Sequence, residues 1–89
     1  MVLYEELKKE IKKWLEKIEK LEIKPKNDNG EEFKNNIEAY IHDSKYFLEG
    51  GDLIRAFEAV IWAWAFLEIC KELGFLDIVY LCSTSSGRK

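Results

Sequence analysis

The sequence is poor in histidine and cysteine, the residues that most often hold a structural zinc ion or form disulfides. It contains one histidine, His42, and two cysteines, Cys70 and Cys82. A structural zinc site needs about four Cys, His or carboxylate ligands at characteristic spacings, and two cysteines 12 residues apart do not form such a pattern. Small secreted domains also use more cysteines, as disulfide bridges. We therefore expect no metal site, and we predict that both cysteines are reduced thiols.

Long apolar segments are also missing. The most apolar stretch, AVIWAWAFL at residues 59–67, lies between Glu58 and Glu68, whereas a transmembrane helix requires about 20 apolar residues. The first ten residues, MVLYEELKKE, do not have the basic and then apolar layout of a secretory signal. The sequence therefore predicts a cytoplasmic protein with no membrane partner.

The basic residues do not form the patch that a nucleic acid would bind. Residues 1–26 hold 8 Lys and 6 Glu, whereas residues 27–82 hold 4 basic and 11 acidic residues, a net charge of −7. In nucleic-acid-binding proteins the basic side chains cluster on one face or belong to a recognisable motif. The lysines of this chain instead alternate with glutamates along one predicted helix, so we expect no nucleic-acid partner.

Motifs for catalysis or cofactor binding are absent too. The sequence has no Gly-rich phosphate loop and no nucleophile motif. At 100° per residue, His42 falls opposite the core stripe of its helix and is predicted to be a surface histidine. We interpret Asp52 as a helix N-cap residue and Asp43 as a structural residue at a helix edge. The expectation is a protein with no catalytic residue, no cofactor and no enzymatic activity.

The first part of the chain predicts one amphipathic helix. Its apolar side chains recur at intervals of three and four residues, which places them on one helix face. They are Leu3, Leu7, Ile11, Trp14, Ile18 and Leu21. Helix 1 is therefore predicted from Val2 to Glu22. Pro25 disfavours helical geometry at the preceding residue and the NDNG segment favours turns, so residues 23–30 are predicted to be a loop.

Helix 2 is predicted between this loop and Gly50-Gly51. Either Asn29 or Asp28 can act as its N-cap residue, because each is followed three positions later by a glutamate, as in a capping box. A glycine at the other end can adopt the left-handed conformation that ends a helix. The predicted core face contains Phe33, Ile37, Tyr40, Ile41, Ser44, Phe47 and Leu48.

Helix 3 is predicted from the Asp52 cap to about Leu73, with Gly74 as its C-terminal stop. Three helices with short connections predict an all-α fold, a three-helix up-down-up bundle. The apolar segment 75–82 is expected to form a short fourth helix or an extended arm. Residues 1–82 are then a single domain, followed by a disordered tail at residues 83–89.

Two segments of the chain form a recognisable combination: the first helix, rich in Lys and Glu, and the stretch AYIHDSKYFLEGGDLIRAFEAVIWAWAFLEI at residues 39–69. The second segment has an aromatic residue, an aspartate and a phenylalanine at Tyr40, Asp43 and Phe47, followed by Gly-Asp at Gly51 and Asp52. This combination resembles an archaeal family catalogued as domain of unknown function 357. The resemblance covers about residues 3–76 and implies a small three-helix bundle from an archaeon. It implies no activity.

Helix 3 is predicted to be apolar on nearly every side. Its core face contains Ala56, Ala59, Val60, Ala63, Leu67 and Cys70. Five further residues, Ile54, Phe57, Ile61, Trp64 and Ala65, would form a patch that one bundle cannot cover. Our hypothesis is a non-catalytic helical module that acts through protein-protein association, as a two-fold homodimer or as a subunit of a larger complex. The alternative for the patch itself is that residues 75–82 fold back over it.

A second hypothesis belongs to a different functional class. An interhelical pocket lined by Tyr40, Trp62 or Trp64, with Asp43 as its polar group, would make the protein a small-ligand binder or an enzyme. A cavity in which Asp43 and the aromatic rings converge would favour this hypothesis. A tightly filled core and a two-fold contact would favour association.

Overall fold

The computed structural model describes residues 2–80, which form three helices and two strands. Their order is α1 (Val2–Glu19), β1 (Leu21–Pro25), α2 (Asp28–Glu49), α3 (Leu53–Glu72) and β2 (Leu76–Tyr80). The three predicted helices are present and the fold is mostly helical, but it is not purely all-α, because β1 and β2 pair as a small antiparallel sheet. The predicted disordered tail lies outside the described residues.

Strand β1 takes the place of the last turn of the predicted helix 1 and the start of the predicted loop. Leu21 and Ile23 are buried, whereas Glu22 and Lys24 are exposed. This alternation is the pattern of a strand with one face on the core. Helix α1 therefore ends at Glu19 rather than at the predicted Glu22.

Strand β2 supplies the second half of the sheet from the other end of the described chain. The register pairs Ile23 with Ile78, and the Lys26 N–H donates to the Phe75 carbonyl oxygen at 2.9 Å. Leu76 is only 2% exposed. The apolar segment for which a fourth helix or an arm was predicted is therefore a strand over residues 76–80, packed on the core.

Helix α2 begins one or two residues earlier than the capping patterns indicated. Its N-cap residue is Asn27, whose side-chain oxygen accepts a hydrogen bond from the Gly30 N–H at 2.8 Å. The predicted caps Asp28 and Asn29 lie inside the helix, so both predictions are wrong. The local pattern could not show this, because Asn27, Asp28 and Asn29 are all good N-cap residues.

A tight turn joins α2 to α3. Gly51 has a φ of 84°, in the left-handed region that favours glycine. The Asp52 N–H donates to the Phe47 carbonyl oxygen at 2.9 Å, and the Asp52 side chain accepts a hydrogen bond from the Arg55 N–H at 3.2 Å. Asp52 is the N-cap residue of α3. The turn lets α2 and α3 make the most extensive helix-helix contact in the molecule.

The buried side chains form two clusters, one on each half of α3. The cluster near the sheet contains Ile18, Leu21, Ile23, Ile37, Ala63, Leu67, Cys70 and Leu76. The cluster at the start of α3 contains Ile11, Leu15, Leu53, Ala56 and Val60. All six residues predicted for the core face of helix 3 are buried, which confirms that prediction. Leu3, predicted on the core stripe of helix 1, is 73% exposed, because the first turn of α1 lies beyond this second cluster.

Candidate interaction surface

The outward side of α3 carries an apolar stripe. We call Ile54, Phe57, Ile61, Trp64 and Ala65 the α3 patch. Ile54 is 70% exposed, Ile61 43% and Phe57 36%, whereas Trp64 and Ala65 are half-buried. Spacings of three and four residues place neighbouring members on one side of the helix. The α3 patch is thus a continuous apolar strip, most exposed at the N-terminal end of the helix.

Trp64 connects the α3 patch to α1. Its ring meets that of Trp14 edge to face, with centroids 5.6 Å apart, and its indole N–H donates to the Trp14 carbonyl oxygen at 3.2 Å. The Lys17 ammonium lies 5.0 Å from the centre of the Trp14 ring. Trp64 is therefore held by its own chain, and only part of its ring can meet a partner.

Two open apolar grooves flank the α3 patch, one at each end. The groove at the Trp64 end has a volume of about 410 Å³ and is lined by Trp14, Ile61, Trp64, Ala65 and Glu68. The groove at the Ile54 end has a volume of about 360 Å³ and is lined by Leu3, Tyr4, Leu7, Gly51, Asp52, Leu53 and Ile54. The sequence did not predict the groove at the Ile54 end, because the spacing of Leu3 places this residue on the core stripe of helix 1.

Strand β2 does not cover the α3 patch. Its residues pair with β1 along all five positions of the register, and Leu76 belongs to the cluster near the sheet. The alternative in which the C-terminal segment folds back over the patch is therefore wrong for residues 76–80. Residues 81 and 82 of that segment lie outside the described residues.

A second aromatic surface follows the contact between α2 and α3. Trp62 is 54% exposed and its ring is nearly parallel to that of Tyr40, with centroids 6.5 Å apart. Phe66 meets both rings, at 5.6 Å and 5.8 Å. The Phe33 ring packs against the rings of Phe66 and Phe75, which extends the row of aromatic rings to the sheet. The helical spacing predicted that Tyr40 and Phe33 face the core, but it did not show that their rings stack along the surface.

Asp43 lies in a small cleft beside these rings. The cleft has a volume of about 220 Å³ and is lined by Tyr40, Asp43, Phe47, Arg55, Glu58, Ala59 and Trp62. Three residues of the hypothetical ligand pocket, Tyr40, Asp43 and Trp62, thus come together. Trp64 does not join them, because it packs against α1. Pockets for drug-sized ligands measure about 300 to 1,000 Å³, so this cleft fits only a small chemical group.

His42 lies on the surface, next to Asp43. Its side chain is 82% exposed, and its Nδ1 atom is 3.9 Å from the Asp43 carboxylate. Within residues 2–80, no three His, Cys, Asp or Glu side chains are grouped closely enough to hold a metal ion. Among the described residues, the contact between His42 and Asp43 therefore lacks a third ligand for a metal ion.

Cys70 carries the one thiol in the core of the described chain, and it is only 1% exposed. Burial raises the pKa of its thiol. Because the thiolate is the reactive form of cysteine, this environment makes Cys70 a poor nucleophile. Cys82 lies outside the described residues.

None of the helices within residues 2–80 is both long enough and apolar enough to span a bilayer.

Comparisons with known proteins identify the family of the chain. Residues 6–76 match the family model described as protein of unknown function DUF357. A crystal structure of protein AF1782 from Archaeoglobus fulgidus, assigned to the same family model, is 56% identical in sequence. The alignment covers 86% of this chain and 99% of that one, with a TM-score of 0.72. No curated protein matches. Because the family model spans well over half of the sequence and the fold is shared, the chain belongs to the DUF357 family.

Proposed function

We propose that the protein is a non-catalytic helical module that acts through protein-protein association, with a second copy of itself as the partner. One observation carries the proposal: α3 is apolar on its outward side as well as on its buried side. Ile54, Phe57 and Ile61 remain in contact with solvent, yet a helix that is hydrophobic nearly all round is normally buried. A partner seated on the α3 patch would complete its burial.

A second copy suits this surface because a two-fold contact places the same apolar residues opposite each other. Of the exposed glutamates of α3, Glu58 lines the cleft between α2 and α3, whereas Glu68 lines the groove at the Trp64 end of the α3 patch, so the proposed contact leaves Glu68 at its edge. Apolar patches measure a few hundred Å², whereas a stable interface buries about 800 Å² on each partner. The proposed contact therefore extends onto Leu3 and Tyr4 of α1, which are 73% and 42% exposed. The proposed contact assumes that the three helices run in the predicted up-down-up order.

We also place the module in the cytoplasm. Cytoplasmic thiols are kept reduced, and Cys70 is a free cysteine in the core. Labelling of free thiols in native cells lysed directly into a denaturant, which exposes the buried Cys70, tests this point, since an oxidised Cys70 would contradict it.

Light scattering at micromolar concentration tests the association. The wild-type protein should have twice the 10.5 kDa mass of one chain, and Ile61→Glu should halve that mass without loss of helical circular dichroism. Ile69→Glu is the matched control, because Ile69 is 54% exposed on the same helix but lies outside the α3 patch. A monomeric wild-type protein would contradict the proposal. So would an Ile61→Glu protein that stays dimeric.

The second candidate function is small-ligand binding at the cleft between α2 and α3. The observation that favours it is the convergence of Tyr40, Asp43 and Trp62 on one cleft. Amide chemical shifts in NMR spectra test it, because a ligand in the cleft would move the signals of α2 and α3 residues that line it and leave those of α1 in place.

A further inference from the structure

The cleft between α2 and α3 contains carboxylates that no Lys or Arg of the described chain neutralises. The Asp43 side chain is 57% exposed, and its one basic neighbour within 4.0 Å is His42, which pairs with it as an ion only when the imidazole is protonated. Glu58 is exposed and forms no ion pair within that distance among residues 2–80. Two acidic groups thus border a cleft that also contains aromatic rings.

Arg55, the one basic residue that lines the cleft, is engaged elsewhere. Its Nε atom lies 3.7 Å from the Asp52 carboxylate, and its guanidinium carbon lies 5.9 Å from the centre of the Phe47 ring. Both partners are at the turn between α2 and α3. The guanidinium therefore lies at the end of the cleft near that turn. Asp43 and Glu58 are not paired with it and can attract another cation.

The aromatic wall of the cleft can also attract a cation. Trp62 is 54% exposed beside the two carboxylates, and the half-buried Tyr40 stacks on it. The face of an aromatic ring carries partial negative charge and attracts ammonium and guanidinium groups, tryptophan most strongly. The ring faces and the carboxylates of the cleft therefore both favour a positively charged ligand.

We propose that this cleft binds an organic cation, with the charged group against the rings of Tyr40 and Trp62 and with Asp43 and Glu58 as counter-charges. The inference rests on the second candidate function. A volume of about 220 Å³ suits a quaternary ammonium or guanidinium headgroup, carried either by a small molecule or by a side chain of a polypeptide. A divalent metal ion does not fit, since it prefers several oxygen ligands and would make no use of the ring faces.

NMR titration of the full chain tests the charge of the ligand. Choline represents a small quaternary ammonium ion, and Nα-acetyl-arginine amide represents a polypeptide side chain. The uncharged control is 3,3-dimethyl-1-butanol, which has the shape of choline without its charge. We expect saturable shifts at the Trp62 indole and at the Asp43 and Glu58 amides with one or both cations, and none with the alcohol.

Matched variants show whether the named groups provide the binding. Asp43→Asn and Glu58→Gln should each weaken the binding of the cation roughly two- to fivefold, the range of an exposed charge pair, and Trp62→Leu should abolish the shifts. Glu16→Gln makes the same change in net charge on α1, which does not line the cleft, and should leave the affinity unchanged.

The outcomes separate the inference from the second candidate function, on which it rests. If the alcohol binds as well as choline, the cleft is a small-ligand site but the inference about charge is wrong. If neither cation gives saturable shifts up to roughly 10 mM, the inference is wrong, whereas shifts with the alcohol alone would still support a small-ligand site, and the association through α3 is unaffected in either case. Tighter binding of the arginine derivative than of choline would favour a guanidinium group, as on a polypeptide side chain, over a quaternary ammonium ion.

Discussion

The Ser44 hydroxyl of α2 donates a hydrogen bond to the Ala56 carbonyl oxygen of α3, with the two oxygens 2.7 Å apart and both residues fully buried. Ser44 is the one polar side chain buried in the core among residues 3–79. The small side chain at Ala56 lets the backbone of α3 come within reach of α2. The bond therefore links the two helices where a small residue of α3 faces α2.

Ser44→Ala should lower the free energy of unfolding by about 1 kcal/mol, the net value of a buried hydrogen bond. The loss stays moderate because the Ala56 carbonyl keeps its place in the hydrogen-bond ladder of α3. Urea denaturation measures the change. Asn35→Ala, at an exposed position of the same helix, is the control and should not lower the stability. Equal midpoints for Ser44→Ala and the wild type would show that the bond contributes nothing.

Asp52→Ala should destabilise the protein by about 1 kcal/mol, because the variant loses the side chain that accepts the Arg55 N–H at the start of α3. Asp52→Asn keeps an N-cap acceptor and should retain most of the stability. The comparison by chemical denaturation separates capping from charge. If the asparagine variant loses as much as the alanine variant, the contribution of Asp52 comes from its charge at the helix terminus.

Gly30→Ala should destabilise the protein, although alanine is normally the better helix former. A Cβ atom at Gly30 would overlap the Phe75 carbonyl oxygen, which already accepts the Lys26 N–H. Backbone would have to move, and overpacking of this kind costs about 1 to 3 kcal/mol.

Gly50→Ala is the matched control for Gly30. The φ of Gly50 is −81°, and the nearest atom to an added Cβ, the Tyr46 carbonyl oxygen, is 3.6 Å away. The free energy of unfolding of Gly50→Ala should stay within about 0.5 kcal/mol of the wild-type value. Thermal melts of the two variants provide the measurement, and a Gly30→Ala protein as stable as Gly50→Ala would contradict the close packing of α2 on Phe75.

Helical periodicity was sufficient to predict α3. Residues three or four positions apart lie on the same side of a helix. This rule places Ala56, Ala63 and Cys70 on the buried side and Ile54 and Ile61 on the exposed side. This prediction succeeds because every side of one helix is set by local sequence spacing. The α3 patch could be named from the sequence for the same reason.

The sheet could not be predicted in this way, because it joins residues from distant parts of the chain. Leu21 continues the spacing of helix 1, and it also begins the alternation of Leu21 and Ile23 in β1. Only the pairing of Ile23 with Ile78 decides between helix and strand. The cleft is non-local as well: Asp43 and Glu58 approach each other only because α2 and α3 pack side by side.

Cys70 should make the stability of the protein depend on pH in the alkaline range. Burial raises the pKa of its thiol in the folded chain, so the folded state binds this proton more tightly than the unfolded state does. The thiol does not change stability below the unfolded pKa of about 8.5. Above it, the unfolded chain gains by ionising, and the free energy of unfolding falls as the pH rises.

Denaturation of the wild type and of Cys70→Ala at several values between about pH 8 and pH 10 measures this dependence. The two proteins differ only at this residue, so the difference between the two pH profiles isolates the thiol. The wild type should lose stability more steeply than Cys70→Ala, although the alanine variant starts lower because of the cavity left in the core. Parallel profiles would show that the Cys70 thiol ionises as readily in the folded chain as in the unfolded one.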